Sequence, residues 1–295
     1  MKKEKLLAII FAILAAVLYA LNIPISKILL NDVQPTMMAS YLYLGTGLGV
    51  GILFLITKNR EKEKTEKYVK KDIPYIIGMI VLDIIAPILL MFGLMDVASS
   101  NATLINNFEI VCTSIIALVI FKEAISKKMW LAIFLITIAS FVLSIEDIGS
   151  FKFSWGAIFV LLATLSWGFE NNCTKELSNK NVYSVVTLKG IFSGLGSLIV
   201  ALILKEDFPS YIYIAYSMIL GFVSYGLSIF FYIKAQNKIG ASKTSAFYSV
   251  APFIGAFLSF IILKEKLTIS FFIGLIIMII STVIIVNDTL KKDEY

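Results

Sequence analysis

Three carboxylic acids stand where a carboxylate is costly. Asp83 and Glu109 lie midway along apolar stretches, and Glu170 lies toward one end of another. A charged group at the centre of a membrane helix costs about 2.5–3.5 kcal/mol on insertion scales, so such groups turn to a bundle interior and handle ions or substrates. The competing use of each is a carboxyl held neutral, or bonded to a nearby Asn or Lys, that serves helix packing alone. Helical spacing collects polar neighbours around them. Trp167, Glu170, Asn171 and Thr174 fall at i, i+3, i+4 and i+7 and share a face. Tyr19, Asn22 and Ser26 repeat that face earlier in the chain. Asn106, Glu109 and Thr113 form another, with Asn107 beside it, so Asn106 and Thr113 are expected to bond Glu109. Tyr225, Ser228 and Tyr232 form a fourth, and Ser242, Ser245 and Ser249 a fifth.

The basic residues inside apolar stretches are Lys27 and Lys189. Lys27 is expected to reach the outer interface. Lys189 either snorkels to the cytoplasm or pairs with Glu170. Tyr19, Trp167 and Tyr225 either line a cavity beside the polar groups or pack as ordinary membrane aromatics. The candidate substrate-binding set is Tyr19, Asn22, Asp83, Asn106, Glu109, Trp167, Glu170, Asn171 and Tyr225. Carboxylates, aromatic faces and the lack of an intramembrane arginine suit a ligand bearing an ammonium, such as an amino acid or small organic cation. A proton is the candidate coupling ion, taken up at Glu109 or Asp83, because the neutral carboxyl is the cheaper form away from water. The chain has no histidine, so imidazole metal sites and histidine-based catalysis are absent. No metal, cofactor or catalytic set is expected. No P-loop is present to bind ATP.

The elements that must position these residues are helices. Of 295 residues, 59% are hydrophobic, and the mean hydropathy is +0.90. Soluble domains are about 45–50% apolar. Ten apolar stretches are long enough to cross a bilayer at about 20 residues each, near 6–30, 36–57, 73–95, 98–121, 128–145, 154–178, 182–204, 211–235, 240–263 and 268–287. The runs are continuous rather than alternating, which excludes a barrel. The first follows a basic start without a small-residue cleavage site, so it reads as a span and not a removed signal. Cys112 and Cys173 fall inside spans and are assigned to packing, with no disulfide.

The chain is also written twice. AILAAVLYALNIPISKIL matches FVLLATLSWGFENNCTKEL 148 positions later, and ALVIFKEAIS matches SFIILKEKLT 142 positions later. Tyr19 falls on Trp167, Asn22 on Glu170, Ser26 on Thr174, Lys27 on Lys175, and Asp83 on Tyr225. The copies cover 1–147 and 148–295, with five spans each, so they run in opposite directions across the bilayer. Inverted repeats around a shared midplane site are a transporter architecture.

The net charge of +6 is a topology signal and not one for nucleic acid. Lysines and the single arginine number 20 in the termini and the loops on their side, against 4 in the alternate loops. The positive-inside rule puts both termini in the cytoplasm of a multi-pass protein of the cell's inner or plasma membrane. The polar run 58–72 reads as a solvated cytoplasmic linker. Gly45, Gly47, Gly49 and Gly51, with Gly190 and Gly194, mark close helix packing, within one protomer or in a homodimer. Pro24, Pro87 and Pro252 are candidate hinges.

The doubled ten-span pattern resembles the EamA branch of the drug/metabolite transporter superfamily. The resemblance rests on the aromatic-small pair before a polar break in the first span (Tyr19, Ala20, Asn22, Pro24) and its fuller form Trp167, Gly168, Glu170. It rests also on Lys122-Glu123 and Lys264-Glu265 at the ends of spans four and nine, where the family commonly has Gly-Glu. The family often carries Glu-Pro upstream. Here one copy has Glu109-Ile110 and the other Ala251-Pro252, each keeping half. The resemblance implies a transporter of a small polar metabolite working by alternating access. It also implies a central cavity ringed by spans 1, 3, 4, 6, 8 and 9, with spans 5 and 10 peripheral. Two other classes compete: a membrane-embedded transferase, for which no His and no paired acidic motif is available, and a non-transporting sensor or assembly subunit.

The topology generates a direct test. In a background lacking Cys112 and Cys173, single cysteines replacing Lys64 and Lys127 are expected to react with impermeant reagent only from the cytoplasm. One replacing Asp147 is expected to react only from outside. External labelling at position 64 overturns the orientation.

Overall fold

The computed structural model describes residues 2–57, 66–122, 124–147, 152–177, 179–239, 244 and 247–292. Glu123, Ser242 and Ser245 lie outside the described residues, as does 58–65 of the linker. The described chain is helical apart from one small hairpin. Its first half contains α1 (Lys2–Ala20), α2 (Asn22–Leu29), α3 (Pro35–Thr57), α4 (Ile73–Asp96), α5 (Ser99–Ile105), α6 (Phe108–Val119) and α7 (Lys127–Ser144). The second contains α8 (Trp155–Glu176), α9 (Val182–Ile203), α10 (Tyr211–Gly221), α11 (Ser228–Ile239), α12 (Ala251–Leu263) and α13 (Ile269–Lys292). Between the halves, β1 (Ile145–Asp147) pairs antiparallel with β2 (Lys152–Phe153), a clasp that hydropathy alone does not signal.

Among the described residues, eight helical stretches are long and apolar enough to cross a membrane, and Ala251–Leu263 is a shorter apolar helix. α8 has 22 residues, but the polar run Glu170, Asn171 and Asn172 followed by Thr174, Lys175 and Glu176 dilutes its hydropathy. The most extensive pairings are α4 with α8, α3 with α9, α7 with α13, α1 with α11 and α6 with α8; α12 lies on α5 and α1.

Small residues set these distances. A Cβ added to Gly190 would lie 2.5 Å from the Gly47 backbone, and one added to Gly45 would lie 2.0 Å from the Met218 carbonyl oxygen. α3 is thus wedged backbone to backbone against α9 and α10. Gly45, Gly47 and Gly49 each meet α9, α10 or Phe222 at close range, so this stripe packs helices within the protomer.

Four of the five polar faces lie on helices that are broken, the exception being the face of α8. α1 stops at Leu21, and Pro24 in α2 has no N–H to return to the Ala20 carbonyl. α5 gives way to α6 at Asn106 and Asn107. Residues Phe222–Leu227 form a π-helical turn between α10 and α11, a feature frequent at functional sites. A turn at Ser249 and Val250 precedes α12, with Pro252 in its first turn. Broken backbone at membrane depth is tolerated where protein buries it. Pro87, by contrast, sits inside an unbroken α4.

One end of the bundle is fastened by carboxylates placed on helix N-termini, where free N–H groups and the helix dipole favour negative charge. Glu206 accepts from Thr36 N (3.1 Å) and Met37 N (2.7 Å) at the start of α3. Glu265 accepts from Ser99 N (2.6 Å) and Ser100 N (2.9 Å) at the start of α5. Asp96 accepts from Gly156 N (3.0 Å) at the start of α8. Lys205 and Lys264, just before two of these acids, take left-handed φ values of 58° and 51°. That geometry costs about 1–2 kcal/mol for a residue with a Cβ, and paired charge-assisted hydrogen bonds offset it. Lys27 lies at this same end and is half-buried. It donates to the Leu94 and Val97 carbonyls at the end of α4, rather than simply extending to the interface.

The opposite end is tied differently. Lys180 is 2% exposed and sits 2.9 Å from Asp72 Oδ2, 3.7 Å from Glu66 Oε2 and 3.0 Å from the Lys67 carbonyl. Tyr68 OH bonds Ser184 Oγ at 2.9 Å. Residues 66–72 are therefore strapped to the α8–α9 turn, while 66–71 remain exposed as a solvated linker is expected to be.

Close packing at Gly190 predicts its own sensitivity. Gly190→Val is expected to lower the thermal unfolding temperature of purified protein by an amount equivalent to about 1–3 kcal/mol of overpacking. Gly51→Ala, whose nearest neighbour is 3.3 Å away, is expected to cost far less. Melting curves of both variants in detergent check this.

Candidate functional site

α4, α8 and α9 bring three charged side chains together. Lys189 Nζ lies 2.9 Å from Asp83 Oδ2 and 3.0 Å from Glu170 Oε1. Side-chain exposure is 0% for Asp83, 3% for Glu170 and 14% for Lys189. Glu170 also accepts from Thr174 Oγ1, one turn along α8. Asp83 Oδ1 accepts from Tyr43 OH at 2.7 Å, and the Trp167 indole N–H points to the same hydroxyl at 3.5 Å. Asp83 Oδ2 makes no aligned hydrogen bond, so Lys189 holds it by charge. Of the two sequence readings of Lys189, pairing is the one observed, and Asp83 is a second partner that spacing does not reveal.

A second, neutral cluster adjoins the first through Tyr225. Asn22 Nδ2 donates to Tyr225 OH at 2.9 Å, and Ser26 Oγ donates to Asn22 Oδ1 at 3.2 Å. Asn106 Nδ2 donates to Tyr19 OH at 3.2 Å. The rings run in a chain: Tyr43 to Tyr225 at 5.5 Å, Tyr225 to Tyr19 at 5.9 Å and Tyr19 to Tyr248 at 5.8 Å between centroids. A cavity of about 20 Å³ lies among Tyr19, Asn22, Thr103, Asn106, Ala251 and Pro252. It has room for about one water, far short of the roughly 300–1,000 Å³ of a metabolite pocket. Asn106 Oδ1 is buried there without a partner.

Glu109 belongs to a third cluster. Asn171 Nδ2 donates to Glu109 Oε1 at 2.6 Å and approaches Thr113 Oγ1 at 3.3 Å. The helix break puts Glu109 in the first turn of α6, where the helix N-terminus favours a carboxylate. The break also turns Asn106 away. The expected Asn106–Glu109 bond is replaced by Asn106–Tyr19, because the two residues no longer share one regular helix. Asn171 likewise leaves the Glu170 cluster for Glu109, although both sit on α8.

All nine sequence-selected residues thus fall into three adjoining clusters. Tyr43 was missed. Its signal was faint, a tyrosine inside a glycine-rich span, and its repeat counterpart is Ile191. Ser249 is described, but Ser242 and Ser245 lie outside the described residues. Among the described residues, no group of three or more Cys, Asp or Glu side chains is placed to hold a metal.

The repeat overlay gives these contacts a pattern. Glu170 with Thr174 falls on Asn22 with Ser26, and Asp83 falls on Tyr225. The direct Asn22–Tyr225 bond is therefore the neutral copy of the Glu170–Lys189–Asp83 bridge. Lys189 itself falls on Tyr41.

The charge count gives opposite signs for two substitutions. Asp83→Asn leaves one acid with one base and is expected to melt no lower than wild type. Lys189→Met strands two buried carboxylates and is expected to cost about 3–5 kcal/mol. Melting temperatures of the two purified variants check the contrast.

Comparisons with known proteins agree with this architecture. The chain is 27% identical over 287 residues to an uncharacterized transporter of Methanothermobacter thermautotrophicus, covering 90% of this chain and 82% of that protein. It is 25% identical over 177 residues to the uncharacterized transporter YyaM of Bacillus subtilis, covering 57% and 58%. A solved crystal structure shares the fold with a TM-score of 0.66 at 12% identity, covering 94% of each chain. The model of the EamA-like transporter family matches residues 6–145 and again 154–287. With both halves matched, the chain belongs to the EamA-like transporter family.

Proposed function

We propose that this protein is a secondary transporter that moves a small metabolite bearing an ammonium group, an amino acid or small organic cation, by alternating access, with the proton as coupling ion. The observation that carries the reading is the charge imbalance in the core: two buried carboxylates face one ammonium. An uncompensated charge in a low-dielectric interior must be neutralised. A proton on one of the carboxyls does so, and each cation that enters or leaves the site changes how firmly that proton is held, which couples their movements. The tyrosine chain and Trp167 supply aromatic faces for the cargo. Glu109, held by a neutral donor in the first turn of α6, is the second candidate proton carrier.

The membrane arrangement follows the same reading. Adding α8 and α12 to the eight long spans gives ten, five per copy, inverted about the membrane plane. The packing supports a pseudo-two-fold: exchanging the copies turns the α4–α8 contact into α11–α1 and the α6–α8 contact into the α12–α1 contact, while α3–α9 and α7–α13 map onto themselves. The charge bias puts both termini in the cytoplasm. The breaks at Leu21, Asn106 and Val250 are then hinges around the core.

Counterflow in proteoliposomes tests the reading. Wild type is expected to exchange labelled amino acids or small quaternary ammonium compounds. Glu170→Gln and Trp167→Ala are each expected to raise the apparent KM about tenfold, the loss of about 1.4 kcal/mol of binding. Glu109→Gln is expected to abolish proton-driven uphill uptake while sparing exchange. Unchanged KM in both binding variants moves the site elsewhere, and full uphill transport by Glu109→Gln removes the proton from that residue. Chemical turnover of a substrate without flux favours a membrane-embedded enzyme.

A further inference from the structure

We infer that Lys189 is a tethered stand-in for the cargo: its ammonium fills the cation subsite between Asp83 and Glu170 when the carrier is empty, and an incoming ammonium displaces it. The inference rests on the transport reading above, and it assigns the place and the competitor.

The geometry is that of a ligand in a site. One ammonium nitrogen reaches carboxylates on two different helices, at 2.9 and 3.0 Å. Both acids are held independently of it, Asp83 by Tyr43 and Glu170 by Thr174, so the subsite keeps its shape when the base leaves. Lys189 is the most exposed of the three, at 14% against 0% and 3%. A lysine suits the role, because its compact charge rides on a flexible four-carbon stem with rotatable donors. An arginine fork would hold a carboxylate in fixed bidentate geometry.

The repeat shows that the fold does not require a base here. The equivalent contact in the other copy, Asn22 to Tyr225, closes directly at 2.9 Å with no charge between them, and Tyr41 occupies the position equivalent to Lys189. The lysine accompanies the two acids.

Two consequences follow. A ligand that must displace an internal competitor binds with an affinity reduced by the fraction of time the site is free. An empty carrier with Lys189 in place exposes less uncompensated charge, so it can reorient without cargo and sustain net flux. Without Lys189 the empty carrier holds two bare carboxylates and moves only when loaded.

The test uses ethylammonium, which carries the cargo's charged group and little else. Thermal unfolding of purified Lys189→Ala is followed in ethylammonium chloride and in sodium chloride at matched ionic strength. The variant is expected to melt below wild type and to be restored by ethylammonium but not by sodium, with an apparent dissociation constant at least about tenfold below that of wild type. Should this variant fail to fold, the charge-balanced double variant Asp83→Asn with Lys189→Ala retains Glu170 and the same net charge. It is expected to bind ethylammonium more tightly than wild type. In proteoliposomes, Lys189→Ala is expected to keep cargo exchange and lose net flux. Equal responses to sodium and ethylammonium, or equal ethylammonium affinity with and without Lys189, overturn the tethered role even where wild type transports. Wild type that moves no ammonium compound, beside a variant selectively rescued by ethylammonium, overturns the transport reading and leaves the subsite standing.

Discussion

In hydrocarbon a carboxylate has no water to lean on, and Asp83 and Glu170 share one ammonium in its place. That bridge dictates how closely α4, α8 and α9 must approach. A salt bridge at 2.9–3.0 Å between helices is possible only where the backbones come near, and small residues arrange this on both sides of the cluster. Gly47 meets Gly190 between α3 and α9, and Gly93 meets Gly156 between α4 and α8. Without a strong hydrophobic drive between helices in lipid, such close packing and interhelical polar contacts hold a bundle together. Here the two act on the same helices. The glycines set the distance, and the charges fill the space that remains.

The two ends of the bundle solve a related problem by different means. Helix starts carry unpaired N–H groups, and at one end three of them receive carboxylates from other elements: Glu206 on α3, Glu265 on α5 and Asp96 on α8. Each cap joins segments distant in sequence, so each is also a fastening between them. The other end uses a single buried lysine, Lys180, to gather Asp72, Glu66 and the Lys67 carbonyl. A carrier that opens at alternate ends has to break one set of fastenings while keeping the other.

How much of this the sequence displays depends on the range of the interaction. Asp83, Glu109 and Glu170 are legible because a charge within an apolar run is locally anomalous. The polar faces around them are legible because helical periodicity is local. Tyr43 was not, since its partners Asp83 and Trp167 are 40 and 124 positions away and nothing nearby distinguishes it from a packing tyrosine. The break at Asn106 and Asn107 carries no Gly or Pro to announce it, so the sequence reads as one regular helix and sets Asn106 beside Glu109 instead of Tyr19. The π-turn through Tyr225 does contain Gly226, but a single glycine inside an apolar run does not distinguish a π-turn from regular helix. The hydropathy signal falters in the functional elements too, because α8 and α12 pay for their polar or broken stretches with a weaker apolar signature.

The most informative comparison lies within the chain. Duplication gave both copies the same contact scheme, a polar residue on the first helix of each copy reaching the third helix of the other. One copy of that contact became an amide–phenol hydrogen bond, which is neutral and insensitive to what binds nearby. The other acquired two acids and a base, whose balance changes with every cation that arrives or leaves. A symmetric pair of neutral contacts would give a bundle with no preference between loaded and empty states. A symmetric pair of charged ones would double the electrostatic cost of burial. Keeping one contact neutral and charging the other confines ligand sensitivity to a single place. The rings of Tyr43, Tyr225 and Tyr19 pack in a chain that joins the charged contact to its neutral counterpart. In a carrier of the proposed kind, the neutral contact is the pivot, and the charged contact is where cargo biases the equilibrium, because only there does it interact differently with the two states.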